Sequence, residues 1–380
     1  MTTDPATLRR TLSERVNAGH GPFDAAWQEA VRSVPREAFL GTAAFRHTGT
    51  AWEPVYREAV GEEEWLRMVY DDRTWVTQVG GRGAADVAGP VAGAPTSSAT
   101  SPSLVVRTLH TARLHGDERV LEIGTGTGYS TALLCHRLGA DNVTSVEYDR
   151  SVAGRAAEHL KAAGYAPVLV TGDGLNGHRA GADYDALVAT CAVRHIPVSW
   201  LLQVRDGGSI TMTLSGWMLA AASIRLTVEE DGSARGRFLA CGDAVSYMLA
   251  RPHERPPRPS FYRHPGVERD THFPPALLQD PVAHFVAQLA APSAELVRLD
   301  DDIVLLDVAT GSQAWTEPHS TGWTVHQSGP LRLWDQVAEA LAVWLDAGRP
   351  GITAFSVTAD PDDQVVSLRG KESVSWRLPN

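Results

Sequence analysis

The amino-acid sequence predicts an α/β protein with a doubly wound, mostly parallel sheet at its centre. An N-terminal helical and loop extension precedes the sheet, and an additional C-terminal α+β domain follows it. Three observations predict this. From about 106 to 242, apolar strand-like runs alternate with helical patterns, the order that builds a parallel sheet with helices on both faces. The run Arg119-Val-Leu-Glu-Ile-Gly-Thr-Gly-Thr-Gly-Tyr129 reads as a buried strand, a glycine turn and a helix start. The closely spaced prolines of Arg251-Pro-His-Glu-Arg-Pro-Pro-Arg-Pro259 remove ladder donors and fix φ, so regular structure stops there and resumes beyond. The chain is thereby divided into 1–105, 106–250 and 251–380.

The elements follow in order. Leu8, Leu12 and Val16 mark a first amphipathic helix, and Phe23, Trp27 and Val31 a second. Glu62-Glu-Glu64 reads as a solvated helix start, where acidic residues suit the helix dipole. Residues 79 to 101 are rich in glycine, alanine, serine and proline and predict a loop without a core of its own. Strands are predicted at 119–124, 142–148, 167–171 and 184–190, with helices at 128–139 and 151–163. Gly208 to Leu214, Ser223 to Val228 and Arg237 to Ala240 predict strands at the sheet edge, the last two joined as a hairpin by Asp231-Gly232. Past the proline segment come helices near 281–290 and 331–346 and strands near 303–308, 353–358 and 364–368. Six of the 11 tryptophans fall after residue 215 and are expected to fill a core and its margins, the sharper alternative being a peptide groove.

Composition bounds the function. At 380 residues and 43% hydrophobic content the chain can bury a large core. Its formal charge of −11 argues against a nucleic-acid partner held through phosphates, so a macromolecular substrate is expected to be protein or peptide. Cys135, Cys191 and Cys241 show no metal or redox spacing and read as reduced, mostly buried thiols, which favours the cytoplasm. No apolar run approaches the roughly 18 residues of a membrane span, and the start lacks the apolar core of a signal peptide. No metal is predicted; Asp300-Asp-Asp302 reads as an acidic turn.

The glycine turn announces a nucleoside cofactor. A dinucleotide fingerprint needs a third glycine at position 129, where this chain has Tyr129. The spacing G-x-G-x-G preceded by Glu122 resembles that of S-adenosylmethionine-dependent methyltransferases. Glu147 ends the next apolar run about 20 residues on, where a carboxylate can accept hydrogen bonds from both hydroxyls of a ribose. Val168-Leu-Val-Thr-Gly-Asp-Gly174 ends a third strand in a loop that can bring Asp173 to the adenine.

Further segments carry a more specific resemblance. Val34-Pro-Arg-Glu-Ala-Phe-Leu40, Thr96-Ser-Ser-Ala-Thr-Ser-Pro-Ser-Leu-Val105, Gly172-Asp-Gly174 and Thr190-Cys-Ala-Val-Arg-His-Ile-Pro197 together resemble the protein-L-isoaspartate O-methyltransferase family over roughly residues 5 to 245. The long C-terminal domain, including Gly351-Ile-Thr-Ala-Phe-Ser-Val357, is similar to the enlarged homologues found with ribosomally made, modified peptides. In those, an aspartate is methylated and the ester collapses to an aspartimide.

The resemblance implies a Rossmann-like class I methyltransferase sheet, S-adenosylmethionine as cofactor and a peptide or isoaspartyl protein as partner. It also implies roles. Glu122, Gly124, Thr125, Gly126, Thr127 and Gly128 would wrap the methionine part, with Tyr129 flanking. Glu147 would take the ribose and Asp173 the adenine, with Tyr148, Gly172 and Gly174 at its border. Thr190 and Cys191 would close the site near the sulfonium. Anchoring the family's Thr-Ile-Ser-x-Pro run on Pro102 puts Ser98 and Thr100 on the acceptor carboxylate, with Ser97 and Ser101 as neighbouring candidates. His195 is a weaker candidate for substrate contact, and Arg194 a weaker candidate for a partner of the acceptor carboxylate.

Such chemistry needs few catalytic side chains. A carboxylate is ionised at neutral pH and is already a nucleophile, so no strong base or metal is required. Three readings stand at this stage: aspartimide-forming methylation of a biosynthetic peptide, general isoaspartyl repair, and cofactor binding without chemistry.

Overall fold

The computed structural model describes residues 4–20, 24–240, 247–251, 254–263, 266–299 and 302–379. Phe23, Cys241, Pro252, His253, Asp300 and Asp301, which carried part of the expectations above, lie outside the described residues. The chain forms two compact units, one of Met1–Cys191 with Ser199–Thr211 and the other of Ala192–Val198 with Met212–Asn380.

The first unit opens with helices α1 (Pro5–His20), α2 (Ala25–Ser33) and α3 (Glu37–Leu40). Asp4 starts α1 by accepting from the backbone of Ala6 and Thr7, and Asp24 starts α2 by accepting from Ala26. Next come β1 (Ala43–His47), β2 (Trp52–Tyr56), α4 (Arg57–Val60), α5 (Glu62–Val69), β3 (Trp75–Val79), β4 (Arg82–Gly83) and β5 (Pro95–Ala99). The strands form a small antiparallel sheet in which β3 is bordered by β1, β4 and β5.

This corrects the expectation of a coreless loop over 79–101. Trp75 pairs with Ala99 and Val76 with Ser98, and Val76, Val79, Ala84 and Val91 share a buried cluster with Ala43 and Phe45. The serines mislead because a strand needs only backbone groups to pair. An apolar neighbour, here the Trp-Val run of β3, supplies the burial.

Helix α6 (Pro102–Thr111) leads into the main sheet through β6 (Val120–Ile123), α7 (Tyr129–Leu138), β7 (Val143–Glu147), α8 (Arg150–Ala162), β8 (Val168–Thr171) and β9 (Tyr184–Val193). The short α9 (Val198–Leu201) and β10 (Val204–Leu214) follow. Strands β6, β7, β8 and β9 run parallel, and β6 lies between β7 and β9. The chain reverses its direction of winding at β6, so its carboxyl end is a switch point where α/β sheets bind ligands. The strand and helix spans expected between 119 and 190 agree with these within a few residues.

Residues 1–105 do not stand apart from the sheet: Leu12, Trp27, Trp65 and Val106 belong to one buried cluster with Leu133, Val120, Val143 and Val188. Burial of each large side chain there contributes roughly 1.5–3 kcal/mol.

The second unit holds two antiparallel sheets. One contains β11 (Ala222–Val228) and β12 (Ala234–Phe238), closed by the expected turn with Gly232 at φ 77°, followed in the sheet by strands from the end of the chain. The other is built from β13 (Val267–Thr271), β14 (Ala294–Leu299), β15 (Asp302–Asp307), β16 (Gln313–His319) and β17 (Gly322–Ser328). Helices α10 (Pro281–Ala290) and α11 (Leu333–Asp346) pack on each other. Strands β18 (Phe355–Ala359), β19 (Gln364–Leu368) and β20 (Lys371–Arg377) extend the first sheet from β12.

Five of these strands, β13, β14, β16, β17 and β20, escape the sequence reading. Strand β13 exposes Val267 through Asp270 and buries only Thr271, and β16 runs from buried Gln313 to exposed His319. Neither presents the clean alternation that marks a half-buried strand. Trp217, Trp315, Trp334 and Trp344 are buried, in line with the core reading of the late tryptophans.

Candidate active site

Strand β6 ends in a turn whose glycines are required by geometry. Gly124, Gly126 and Gly128 have φ of 99°, 56° and 93°, in the region L side chains avoid. A Cβ on Gly124 would stand 2.8 Å from Thr190 Oγ1, and one on Gly128 would stand 3.2 Å from Leu160 Cγ. The Thr190 hydroxyl donates to the carbonyl of Gly124 at 2.5 Å and lies 3.1 Å from that of Ile123. The end of β9 is thereby fixed against the turn. Gly128 then opens α7, whose free amides favour an anion.

Glu122 sits beneath this turn, fully buried. It accepts hydrogen bonds from Ser130 at 2.5 Å, Thr131 at 2.5 Å and Ser145 at 2.6 Å. Because Ser145 donates to Glu122, Thr125 donates to Ser145 at 2.6 Å. The sequence reading put Glu122 around the methionine part of the cofactor. Its carboxylate is instead occupied inside the sheet, positioning α7 and Thr125, and burial holds it above the ordinary carboxylate range. Tyr129 likewise turns inward: its ring meets Phe39 edge-on at 5.9 Å and lies 5.8 Å from the Arg36 guanidinium.

Glu147 closes β7 as expected. One oxygen accepts from the Gly126 backbone at 2.9 Å and the other from Asp149 at 3.0 Å, leaving further lone pairs on both. Burial, foremost, raises its affinity for a proton. The backbone of Gly172 donates to the Glu147 carbonyl at 2.9 Å, which brings the β8 loop alongside. There Asp173 accepts from Leu175 at 3.0 Å and starts a one-turn helix. Gly174 is pressed so closely on β6 that a Cβ would meet Ile123 Cγ2 at 2.4 Å. Tyr148, which follows Glu147, is 59% exposed. Burial, with Glu147 nearby, pushes the Cys191 thiol up to about 12, so it is neutral at physiological pH and no nucleophile.

The hydroxyl-bearing strand meets the turn from the other side. The Ser98 carbonyl lies 3.7 Å from where a Gly126 Cβ would stand. Ser97 is buried and accepts from Thr77 at 3.3 Å, while the Ser101 backbone donates to Thr74 at 3.0 Å at the start of α6. The sequence reading assigned no role to the residue that holds this strand. Arg36 is fully buried, and its guanidinium donates to the carbonyls of Asp71 at 3.1 Å, Arg73 at 3.2 Å, Ala99 at 3.4 Å and Thr100 at 3.1 Å, and also to that of Val69. The signal was present as the basic residue of Val34-Pro-Arg36, within a segment already singled out by resemblance.

A cleft opens along this junction, lined by Phe39, Thr77, Ser97, Gly126, Thr127 and His159 among others. It gathers three of the expected residues; Glu147, Asp173, Thr190 and Cys191 sit at the strand ends outside its lining. The strand ends bring together the glycine turn, the Glu147 carboxylate and the amino terminus of α7.

Comparison with known proteins decides the family. Residues 46–218 match the family Protein-L-isoaspartate(D-aspartate) O-methyltransferase (PCMT). A Protein-L-isoaspartate O-methyltransferase 1 from Rhodopseudomonas palustris (strain HaA2) is 30% identical over 269 residues, which cover 69% of this chain and 94% of that protein. This chain belongs to the protein-L-isoaspartate O-methyltransferase family. The Ignicoccus hospitalis protein-L-isoaspartate O-methyltransferase is 31% identical over 48% of this chain and 78% of its own length. A solved protein-L-isoaspartate O-methyltransferase matches the fold with a TM-score of 0.53 at 18% identity, covering 95% of this chain and 99% of its own.

The chain is thus an S-adenosylmethionine-dependent carboxyl O-methyltransferase with a class I methyltransferase fold. The residues present fit that cofactor: the turn admits no Cβ at Gly124, and Glu147 keeps acceptor capacity for a ribose. Among the described residues no cluster of His, Cys, Asp and Glu could hold a metal ion, and no helix is long and apolar enough to cross a membrane.

Proposed function

We propose that this family member esterifies an aspartyl side-chain carboxylate of a ribosomally made peptide, and that the neighbouring backbone nitrogen, losing its proton, then attacks the ester carbonyl and expels methanol to give an aspartimide. The observation that carries methyl transfer to a carboxylate is the meeting of two elements at Gly126, the Glu147 carboxylate on one side and the hydroxyl-bearing segment Ser97–Ser101 on the other. The peptide reading is supported by residues 219–380, which lie beyond the family match and make up most of a compact second unit. Residues 251–380 are assigned as an accessory domain that receives the peptide. The scattered cysteines support a reducing, cytoplasmic setting.

The roles follow. S-adenosylmethionine, when bound, supplies a methyl group already activated on a sulfonium. Gly124, Thr125, Gly126, Thr127 and Gly128 form its cradle. Glu147 accepts from its ribose, while Asp173, with Tyr148, Gly172 and Gly174, borders its adenine, and Thr190 and Cys191 close the site. Ser98 and Thr100 orient the acceptor carboxylate, with Ser97 and Ser101 flanking them. Hydroxyls suit this task because they fix a carboxylate without the charge by which an arginine would blunt its nucleophilicity. Positioning carries the catalysis, and proximity alone contributes roughly 7–11 kcal/mol.

A second reading, repair of isoaspartyl residues in damaged proteins, is supported by the names of the relatives. One assay separates the two. The full chain is incubated with S-adenosylmethionine and either the short peptide encoded beside its gene or unrelated isoaspartyl peptides. Methyl ester followed by a dehydrated product on the encoded peptide alone is the expected result. Equal activity on unrelated isoaspartyl peptides establishes repair instead, and cofactor binding without ester on any peptide overturns both.

A further inference from the structure

Gln78 lies in β3 and is 1% exposed. The pairing of β3 with β5 shifts register on both sides of it, between Val76 and Gln78 and again between Gln78 and Val79. Such irregularities re-aim a side chain. The Gln78 amide reaches the turn that follows β7, where Nε2 donates to Asp149 Oδ2 at 3.2 Å and lies 3.4 Å from Ser151 Oγ. Its Oε1 accepts from the Thr96 hydroxyl in β5 at 2.7 Å.

Asp149 fixes the direction of these bonds. Burial pushes its carboxyl up, but hydrogen bonds from Ser151, Val152 and Gln78 outweigh burial and hold it below the ordinary range. An ionised carboxylate only accepts, so the NH2 of Gln78 faces Asp149 and its carbonyl faces Thr96. The contacts continue from there to the glycine turn. The Asp149 backbone donates to Glu147 Oε1 at 3.0 Å, and Glu147 Oε2 accepts from Gly126 at 2.9 Å. Thr96 directly precedes Ser97 in β5. One buried amide therefore stands between the segment assigned to the acceptor carboxylate and the residue assigned to the ribose. With both of its ends met, that amide resists movement of either element, because a shift leaves a desolvated polar group unpaired.

We propose that Gln78 is a positioning residue that couples the acceptor segment Ser97–Ser101 to the cofactor cradle through Asp149 and Glu147. This rests on the roles given to Glu147, Ser98 and Thr100 under Proposed function. With Glu147 loaded, the turn Asp149–Ser151 is held, and Gln78 passes that constraint to β5. Among the described strands β5 pairs with β3 alone, so it is the element with order to gain.

Hydrogen–deuterium exchange over residues 95–101 of the full chain tests the coupling without any peptide. It is measured with and without S-adenosylmethionine, at concentrations that calorimetry shows to be saturating for each protein. The wild type is expected to exchange about fivefold or more slowly when cofactor is present. In Gln78→Leu that cofactor effect is expected to shrink below about twofold. A purely structural role for Gln78 would change exchange equally in both states and leave the cofactor effect at its full size, which overturns the proposal. Thr96→Val, at an exposed position, cuts the other end of the amide and keeps the test open should Gln78→Leu fail to fold. It is expected to reduce the cofactor effect, and full protection in this variant overturns the proposal, as does a wild type whose exchange over 95–101 ignores cofactor. On any acceptor peptide that is turned over, Gln78→Leu is expected to lower kcat at saturating cofactor by roughly 2- to 10-fold, and an unchanged kcat also overturns the assignment. The roles on which it rests fail by other measurements: absence of methyl ester refutes the acceptor assignment, and unchanged cofactor affinity in Glu147→Ala refutes the ribose assignment.

Discussion

The carboxylate of Glu147 accepts a hydrogen bond from the backbone of Gly126 at 2.9 Å, tying the end of β7 to the glycine turn of β6. The same oxygens are those proposed to accept from the cofactor ribose, so in this reading one residue would both shape the cradle and bind its content. Glu147→Ala is expected to weaken S-adenosylmethionine binding by roughly 1.5–3 kcal/mol, about 10- to 150-fold in Kd. Calorimetry checks this; unchanged affinity would remove Glu147 from the ribose site. Burial raises its proton affinity, so the wild-type Kd is expected to rise on acidification at a pH above the ordinary carboxylate range. The Glu147→Gln variant is expected to show a flat profile there.

Ser98 lies in β5 and Thr100 just past its end, where Arg36 donates to the carbonyls of Ala99 and Thr100. Ser98→Ala with Thr100→Ala is expected to lower kcat by roughly 10- to 100-fold, the loss of hydrogen bonds to a charged group, with cofactor affinity nearly intact. Arg36→Lys is expected to lower both kcat and Tm, because a single ammonium cannot reproduce a planar fork spread over several carbonyls. A Tm unchanged in Arg36→Lys would show that the fork is dispensable.

The parts of the site legible in the sequence are those where backbone conformation constrains residue type. Gly124, Gly126 and Gly128 are glycines because φ is positive, and Glu147 ends an apolar strand where a turn must follow. What was illegible depends on contacts between distant segments. Glu122 looks like a ligand-facing acid in the sequence, and only the positions of Ser130, Thr131 and Ser145 show that its carboxylate is consumed within the sheet. The serine strand β5 has no apolar alternation, and its pairing with β3 is decided by a neighbour some twenty residues away. The second unit's strands were missed for a related reason: β13 is nearly all exposed, so its pairing with β17 and not its own pattern makes it a strand.

Glu122 supports a prediction about pH. Burial raises its folded pKa above the unfolded value, so the folded state binds more protons and stability falls as pH rises from the unfolded pKa through the folded one. The benefit of this group is fully present below the unfolded pKa and lost above the folded pKa. Glu122→Gln removes that dependence and retains a partner for the three hydroxyls. Urea unfolding of both proteins across pH 4.5 to 7 is expected to show the variant gaining stability relative to the wild type as pH rises. A constant difference would mean that Glu122 does not change its protonation on unfolding in this range.

Gly124 and Thr190 give the sharpest steric test. An alanine at 124 meets two separate penalties: a φ of 99°, which costs an L residue roughly 1–2 kcal/mol, and a Cβ 2.8 Å from Thr190 Oγ1. Gly124→Ala is therefore expected to lower Tm and to weaken cofactor binding, because Thr190 must leave the carbonyl it caps at 2.5 Å. Thr190→Ala alone is expected to cost less, since it removes a hydroxyl but creates no clash. Combining them relieves the steric penalty and leaves the φ penalty, so Gly124→Ala should cost less in the Thr190→Ala background than in the wild type. A double-mutant cycle on urea unfolding measures that difference. An identical cost in both backgrounds would mean that β9 does not press on the turn, and the closure of the site by Thr190 would then be lost with it.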